Sequence, residues 1–420
     1  MNPRSEAPAV RNYPLLLIGQ FLGAFGDNFL LAAILAPLTY AFQSGRMTQT
    51  QINGQNALFS IVFSLPFILL APIAGFINDR MPKTTWLVGG NVVKLAGTSV
   101  GFLGLSLFTA SGHAFQIAGY CIVGVGACLY SPAKYGVLPE IVSNERLVKA
   151  NGVVEMLTLV AIVGGLYYGG VLYDLTLSLA SCYVASLALY AAALLCNGAM
   201  ARTPCDPGAS LRRSAAAFGS SFLALVRSPR LRRILIGSAL FWFAGSAVRS
   251  ALQGWGLTVF AQAGVMNVTN AKLGLLKVGL VVGIVSGSLL AGGLHRTGDL
   301  SWARRYAALM AAGFAGLGIL GGRFGLVPAV LVLLTSGTAA GLLVVPFNAA
   351  LQSESDQAKL GKTVSIQNLT DYVGIIGGSV FLSLMGSFGL NQGQILMALG
   401  LTVALIALAM RGFGTARPVS

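Results

Sequence analysis

Between residues 75 and 83 the chain reads Gly75-Phe76-Ile77-Asn78-Asp79-Arg80-Met81-Pro82-Lys83, three charges and a proline in nine positions. What flanks this cluster decides the fold. An apolar run from Asn56 to Ile77 leads into it, and another from Thr84 to Ala110 leads out. Each has the length, about 20 residues, that an α-helix needs to cross the hydrocarbon of a bilayer, and each is about twice as long as a barrel strand. Lipid satisfies no backbone hydrogen bonds, so runs of this length cross as helices. The cluster is a polar corner between two spans.

Working outward, the first half holds further runs near Tyr13 to Phe42, Ala114 to Leu138, Leu147 to Tyr173 and Thr176 to Met200. The second holds Ile234 to Ala263, Ala271 to Leu294, Ala303 to Gly322, Leu326 to Leu351, Val364 to Phe388 and Gln392 to Met410. The sequence therefore predicts an all-α membrane protein of twelve spans in two bundles, residues 1–202 and 234–420, joined by a basic linker over 203–233. Composition agrees: of 420 residues, 55% are hydrophobic and 9% charged, against about 25% charged in soluble domains. No polar stretch is long enough for a separate soluble enzyme domain.

The net charge of +15 follows topology and gives no reason to expect nucleic acid. With the amino terminus in the cytoplasm, twenty Lys and Arg residues fall on that side, and only Arg46, Lys272 and Arg323 fall in loops on the other. The positive-inside rule turns this bias into an orientation with both termini inside. The first run is too long for a signal-peptide core and stays as a helix. In the linker, Ser210 is placed to cap a short amphipathic helix carrying Ala215, Phe218, Phe222 and Leu225; the alternative is a basic linker that only fixes topology.

Hydropathy disfavours seven charges that nevertheless sit inside spans: Asp27, Lys94, Lys134, Glu155, Arg249, Lys277 and Asp371. Each costs roughly 2.5 to 3.5 kcal/mol on insertion scales, so such groups face a cavity or a partner. Gln20 and Asp27 share a stripe with Gly23; Trp242, Gly245, Arg249 and Gln253 form another; Asn151, Glu155 and Thr158 a third. In the fourth span Tyr130 lies one turn from Lys134. Lys277 and Asp371 are candidates for a pair within the second half, structural or ligand-binding, and Lys94 snorkels, braces the corner at Asp79 and Arg80, or faces the cavity.

An internal repeat links the halves. Pro132 and Glu140 are spaced as Pro346 and Glu354, Asn151 with Glu155 is echoed by Asn368 with Asp371, and Gly164-Gly165 recurs as Gly377-Gly378. Transporters built from two related bundles carry this sign. Six plus six spans with a long central loop resembles the plan of the major facilitator superfamily, and Gly75, Asp79, Arg80 and Lys83 match its conformational motif, with Pro82 where a glycine is usual. In that plan the first and seventh helices face one another, which makes Asp27 and Arg249 candidates for a gate or for a permanent bridge.

Three stretches carry a narrower resemblance: Gln20-Phe21-Leu22-Gly23-Ala24-Phe25-Gly26-Asp27-Asn28, Ser131-Pro132-Ala133-Lys134-Tyr135-Gly136-Val137-Leu138-Pro139-Glu140, and Leu147 to Glu155. They resemble the bacterial lysophospholipid transporter family. That likeness implies flipping of lysophosphatidylethanolamine and lysophosphatidylglycerol from the outer to the inner leaflet of the bacterial inner membrane, by alternating access with lateral entry. Asp27, Asn28, Gln20, Lys134, Tyr135, Glu155, Asn151 and Arg249 would bind or gate the substrate. It also implies a partner, an acyltransferase/acyl-carrier-protein synthetase, expected here as a separate protein because the chain ends at Ser420 without such domains; a monomer is expected.

Other chemistry finds no support in the residues. There is no GxxxxGK[ST] loop, His113 and His295 lack metal-ligand spacing, and none of the five cysteines forms a CxxC, so neither cofactor, metal nor enzymatic activity is expected. The alternative reading is a proton-coupled exporter of amphipathic drugs or small molecules, protonated at Asp27, Glu155 or Asp371.

Overall fold

The computed structural model describes residues 6–106, 110–142, 144–204, 210–265, 267–295, 298–321, 326–355 and 360–409. Every regular element among them is helical. The first half comprises α1 (Glu6–Gln43), α2 (Gln49–Leu69), α3 (Ala71–Arg80), α4 (Lys83–Leu103), α5 (Ala110–Ile141), α6 (Asn144–Thr176) and α7 (Leu179–Gly198). Then come α8 (Leu211–Arg227), α9 (Pro229–Gln262), α10 (Asn270–Leu294), α11 (Ala303–Leu320), α12 (Leu326–Glu354), α13 (Leu360–Ser387) and α14 (Gln392–Ala409). Each of the twelve apolar runs has its helix. Ten described helices are long and apolar enough to cross a membrane, and α14 is a shorter apolar one; α11, eighteen residues long, carries Arg304 and Arg305 in its first turn.

α2 and α3 form one span bent at Leu70, where backbone bonds continue from Leu70 N to Pro66 O and from Ala74 N to Leu70 O, both 2.8 Å. Pro66 and Pro72 lack the N–H that would complete the ladder, which is why the bend falls between them. α2 also begins seven residues before the predicted run. The polar stretch Gln49–Gln55 reads as loop in a hydropathy profile, yet its side chains are engaged: Gln49 Nε2 donates to Asn53 Oδ1 at 3.2 Å.

The helices sort into two compact units that do not follow the halves of the sequence. One holds residues 1–36 and 62–220; the other holds 37–61 and 221–420. In the first, α4 lies along α5 with backbones nearly touching: a Cβ on Gly126 would come within 2.7 Å of Lys94 Cγ. In the second, the ends of α1 and α2 pack with α9 to α14. Thr39 Oγ1 donates to Asn270 Oδ1 at 2.6 Å, Gln43 Nε2 to the Val268 carbonyl at 2.7 Å, and Asn56 Nδ2 to Gln253 Oε1 at 3.0 Å.

Candidate functional site

In the first unit α1 presents Gln20, Gly23 and Asp27 on one stripe, as the spacing predicts, and α4, α5 and α7 close around it. Lys94 Nζ of α4 donates to Asp27 Oδ2 at 2.8 Å. Tyr190 OH of α7 donates to Oδ1 at 2.9 Å, and Tyr120 OH of α5 to the Asp27 backbone carbonyl at 3.2 Å. The Lys94 ammonium sits 5.4 Å from the Tyr130 ring centroid and 5.6 Å from that of Tyr190. Asp27 is 8% exposed and Lys94 2%, so the pair is dehydrated and each charge depends on the other.

Small residues make this approach possible. A Cβ on Gly26 would meet Tyr190 Cε1 at 2.8 Å, so any larger residue there pushes the phenol off the carboxylate. On the same side Asn91 Nδ2 donates to Asn197 Oδ1 at 2.9 Å, while the buried Asn91 Oδ1 has no hydrogen-bond partner among the described residues. It is an acceptor with unused capacity beside a buried ion pair.

A second cation lies nearby in sequence stripe and in space. Lys134 Nζ donates to Thr158 Oγ1 at 3.4 Å, and that hydroxyl is 3.0 Å from Gln20 Oε1. The Lys134 ammonium also stands 4.4 Å from the Tyr135 ring centroid. Gln20, Asp27 and Lys134 are thus gathered in one unit, whereas Asn28 turns its amide back to the Ala24 carbonyl at 2.9 Å. The side chains of Asn151 and Glu155, and of Asp79 in the corner motif, lie outside what the structure describes, as do the surroundings of Gly75.

Asp27's counter-ion in this structure is Lys94. Of the three places the sequence offers Lys94, the structure takes the one among the buried polar groups and not the corner motif or a snorkelling position. Arg249 belongs to the second unit, within electrostatic reach of Lys277. There Asp371 Oδ1 accepts from Ser238 Oγ at 2.7 Å, and Gln367 Nε2 donates to Ser238 Oγ at 3.2 Å and to Asn348 Oδ1 at 2.6 Å. Ser238, Gln367 and Asn348 escaped the sequence reading because uncharged polar residues raise no alarm in hydropathy.

At the polar corner Lys83 pairs with Glu140 at the end of α5, and Arg80 lies 5.8 Å from the Phe76 ring. The repeat partner of Glu140, Glu354, accepts from Arg230 in both directions, Nε to Oε2 at 2.6 Å and Nη2 to Oε1 at 2.7 Å. The repeated glutamates therefore each end a helix on a basic residue that opens another. Such pairs tie helix ends together; neither touches the Asp27 cluster.

Known proteins agree with this architecture. The profile of the Major Facilitator Superfamily matches residues 16–379. A lysophospholipid transporter, LplT, of Photorhabdus laumondii is 34% identical over 374 residues, 87% of this chain and 86% of that protein. That of Serratia proteamaculans is 36% identical over 381 residues, 88% of each. Among solved structures, the human organic anion transporter MFSD10 (TETRAN) superposes with a TM-score of 0.70 at 15% identity, over 98% of this chain and 100% of that one. A POT family transporter in complex with a thioalcohol conjugated peptide gives 0.71 at 12% identity, over 95% of each chain. Identities this low speak to the fold alone. With a helix for each of the twelve apolar runs, a family model matching most of the chain and relatives of one kind matched over more than four fifths of their length, the chain belongs to the Major Facilitator Superfamily and, within it, to the lysophospholipid transporter family.

Proposed function

We propose that this protein is a transporter, not an enzyme, and that it moves lysophospholipids to the cytoplasmic leaflet of a bacterial inner membrane. The observation that carries the substrate class is the whole-length kinship with proteins named for that cargo. The Asp27 cluster offers a physical reason. A lysophosphatidylethanolamine headgroup bears an ammonium and a phosphate a few bonds apart, the same two charges that Lys94 and Asp27 present to each other. Its ammonium displaces Lys94 from Asp27, with Asn91 Oδ1 as a further acceptor, and its phosphate takes the released Lys94 or the nearby Lys134. Exchanging one ion pair for two avoids stranding a charge in low dielectric. The single acyl chain stays in apolar surroundings by entering sideways between helices, while alternating access carries the headgroup across. Both termini lie in the cytoplasm, the protein acts as a monomer, and the product passes to an acyltransferase/acyl-carrier-protein synthetase for reacylation.

The test is inward flipping of labelled lysophosphatidylethanolamine in proteoliposomes, with and without a proton gradient. The expected result is movement without a gradient that falls at least to the protein-free rate in Asp27→Ala. No lysolipid movement in either condition overturns the substrate; movement at the wild-type rate in Asp27→Ala overturns the site and leaves the substrate standing.

A further inference from the structure

The linker helix α8 has a two-sided surface that transport does not use. Leu211, Ala215, Phe218, Phe222, Leu225 and Val226 fall within an arc of about 100° at helical spacing. The protein covers that arc unevenly: Leu225 is buried, as is the neighbouring Ser221, Ala215, Phe218 and Val226 are half-buried, and Leu211 and Phe222 are exposed, as is the neighbouring Leu223. Arg212, Arg213 and Arg227 stand exposed beyond the arc, and from Ser210 to Arg233 there are six arginines and no acidic residue.

The level at which α8 sits is fixed by its connection to α9. One residue, Ser228, separates them. Its N–H donates to the Ala224 carbonyl at 3.2 Å, its carbonyl accepts from Arg232 N at 2.9 Å, and its Oγ accepts from Leu231 N at 3.4 Å, so the corner is bonded on both sides. The apolar part of α9 begins at Ile234, six residues on, which is about 9 Å of helix. Headgroups occupy roughly the outermost 5 to 8 Å of each leaflet. The anchor of α8 therefore stands at the outer edge of the headgroup layer, within reach of lipid phosphates for long basic side chains.

We propose that α8 is a docking surface for the anionic phospholipids of the cytoplasmic leaflet. Leu211 and Phe222 pack into the headgroup layer, and Arg212, Arg213 and Arg227 take lipid phosphates by snorkelling. Anionic lipid is favoured over zwitterionic lipid because a negatively charged leaflet attracts each basic residue near its surface. Arg230 does not contribute, being held by Glu354 and the Gly298 carbonyl. The proposal is independent of the transported substrate.

The experiment places a polarity-sensitive dye at Phe222→Cys in a full-length chain whose five native cysteines are replaced. The protein is held in nanodiscs of phosphatidylcholine alone or with phosphatidylglycerol. Phosphatidylglycerol is expected to shift the emission to the blue and to increase quenching by bromine placed high on the acyl chains, and added salt to reverse both. The triple variant R212Q/R213Q/R227Q is expected to lose the response, while R304Q/R305Q, which removes charge from α11, keeps it. Equal emission in the two lipids overturns the proposal, as does a response that survives the triple variant. Should the triple variant fail to assemble, the lipid comparison and salt titration on the parent chain decide alone. A dye that responds to added soluble acidic protein but not to lipid composition would mean a protein partner instead.

Discussion

Asp27 and Lys94 are 67 positions apart in sequence, and neither position advertises the other. Asp27 was legible because a carboxylate in an apolar run demands an explanation, and its stripe with Gln20 and Gly23 shows which face it occupies. Lys94 was equally conspicuous, but periodicity assigns a face to a residue without saying which helix stands opposite. Tyr190 was invisible, since a tyrosine in an apolar helix carries no cost that would single it out. A buried pair makes a sharp energetic prediction. Lys94→Met leaves a dehydrated carboxylate and is expected to destabilise the protein by about 3–5 kcal/mol. Asp27→Asn together with Lys94→Met removes both charges and restores most of that loss. Thermal unfolding of the two single variants and the double variant in detergent measures the coupling; a double variant as unstable as the sum of the singles would mean that the charges do not act on each other.

Helices were the most legible level, because a bilayer imposes length on every span. Element boundaries were less so where polar side chains serve helix–helix contacts. Gln49 and Asn53 look like loop residues and Asn56 like the edge of a span, yet Asn56 bonds Gln253 and Gln392 Nε2 lies 3.5 Å from Asn53 Oδ1. A hydropathy profile scores such residues as though they faced water. The linker helix was legible from Ser210, whose Oγ accepts from Arg213 N at 3.3 Å. The repeated glutamates were legible as a repeat but not as ion pairs, because their cations, Lys83 and Arg230, do not occupy matching places in the two halves. Glu354→Gln weakens the forked contact between α9 and α12. With both side chains partly exposed, at 31% and 24%, the expected loss is about 1 kcal/mol, read as a small drop in melting temperature that high salt should largely erase.

At the scale of the molecule, sequence halves and compact units part company, and helices α1 and α2 belong to both. The divisions fall between residues 36 and 37 in α1, between 61 and 62 in α2 and, in the linker helix α8, between 220 and 221. Composition gives no hint of the first two, since apolar residues continue unbroken through both positions. Two prolines lie close to these two divisions. Pro37 has no N–H for the carbonyl of Ala33, and Pro66 has none for that of Val62, so each helix is missing an internal tie within a turn of the place where its allegiance changes.

In mechanical terms α1 and α2 are leaf springs thinned near Pro37 and Pro66, where a backbone tie is missing. Bending stiffness there sets how readily each helix flexes. Restoring the missing tie with Pro37→Ala or Pro66→Ala is therefore expected to slow turnover in proteoliposomes while leaving the affinity for lysolipid unchanged. Were affinity to fall and turnover to hold, the prolines would be shaping the headgroup site instead of governing the flexure.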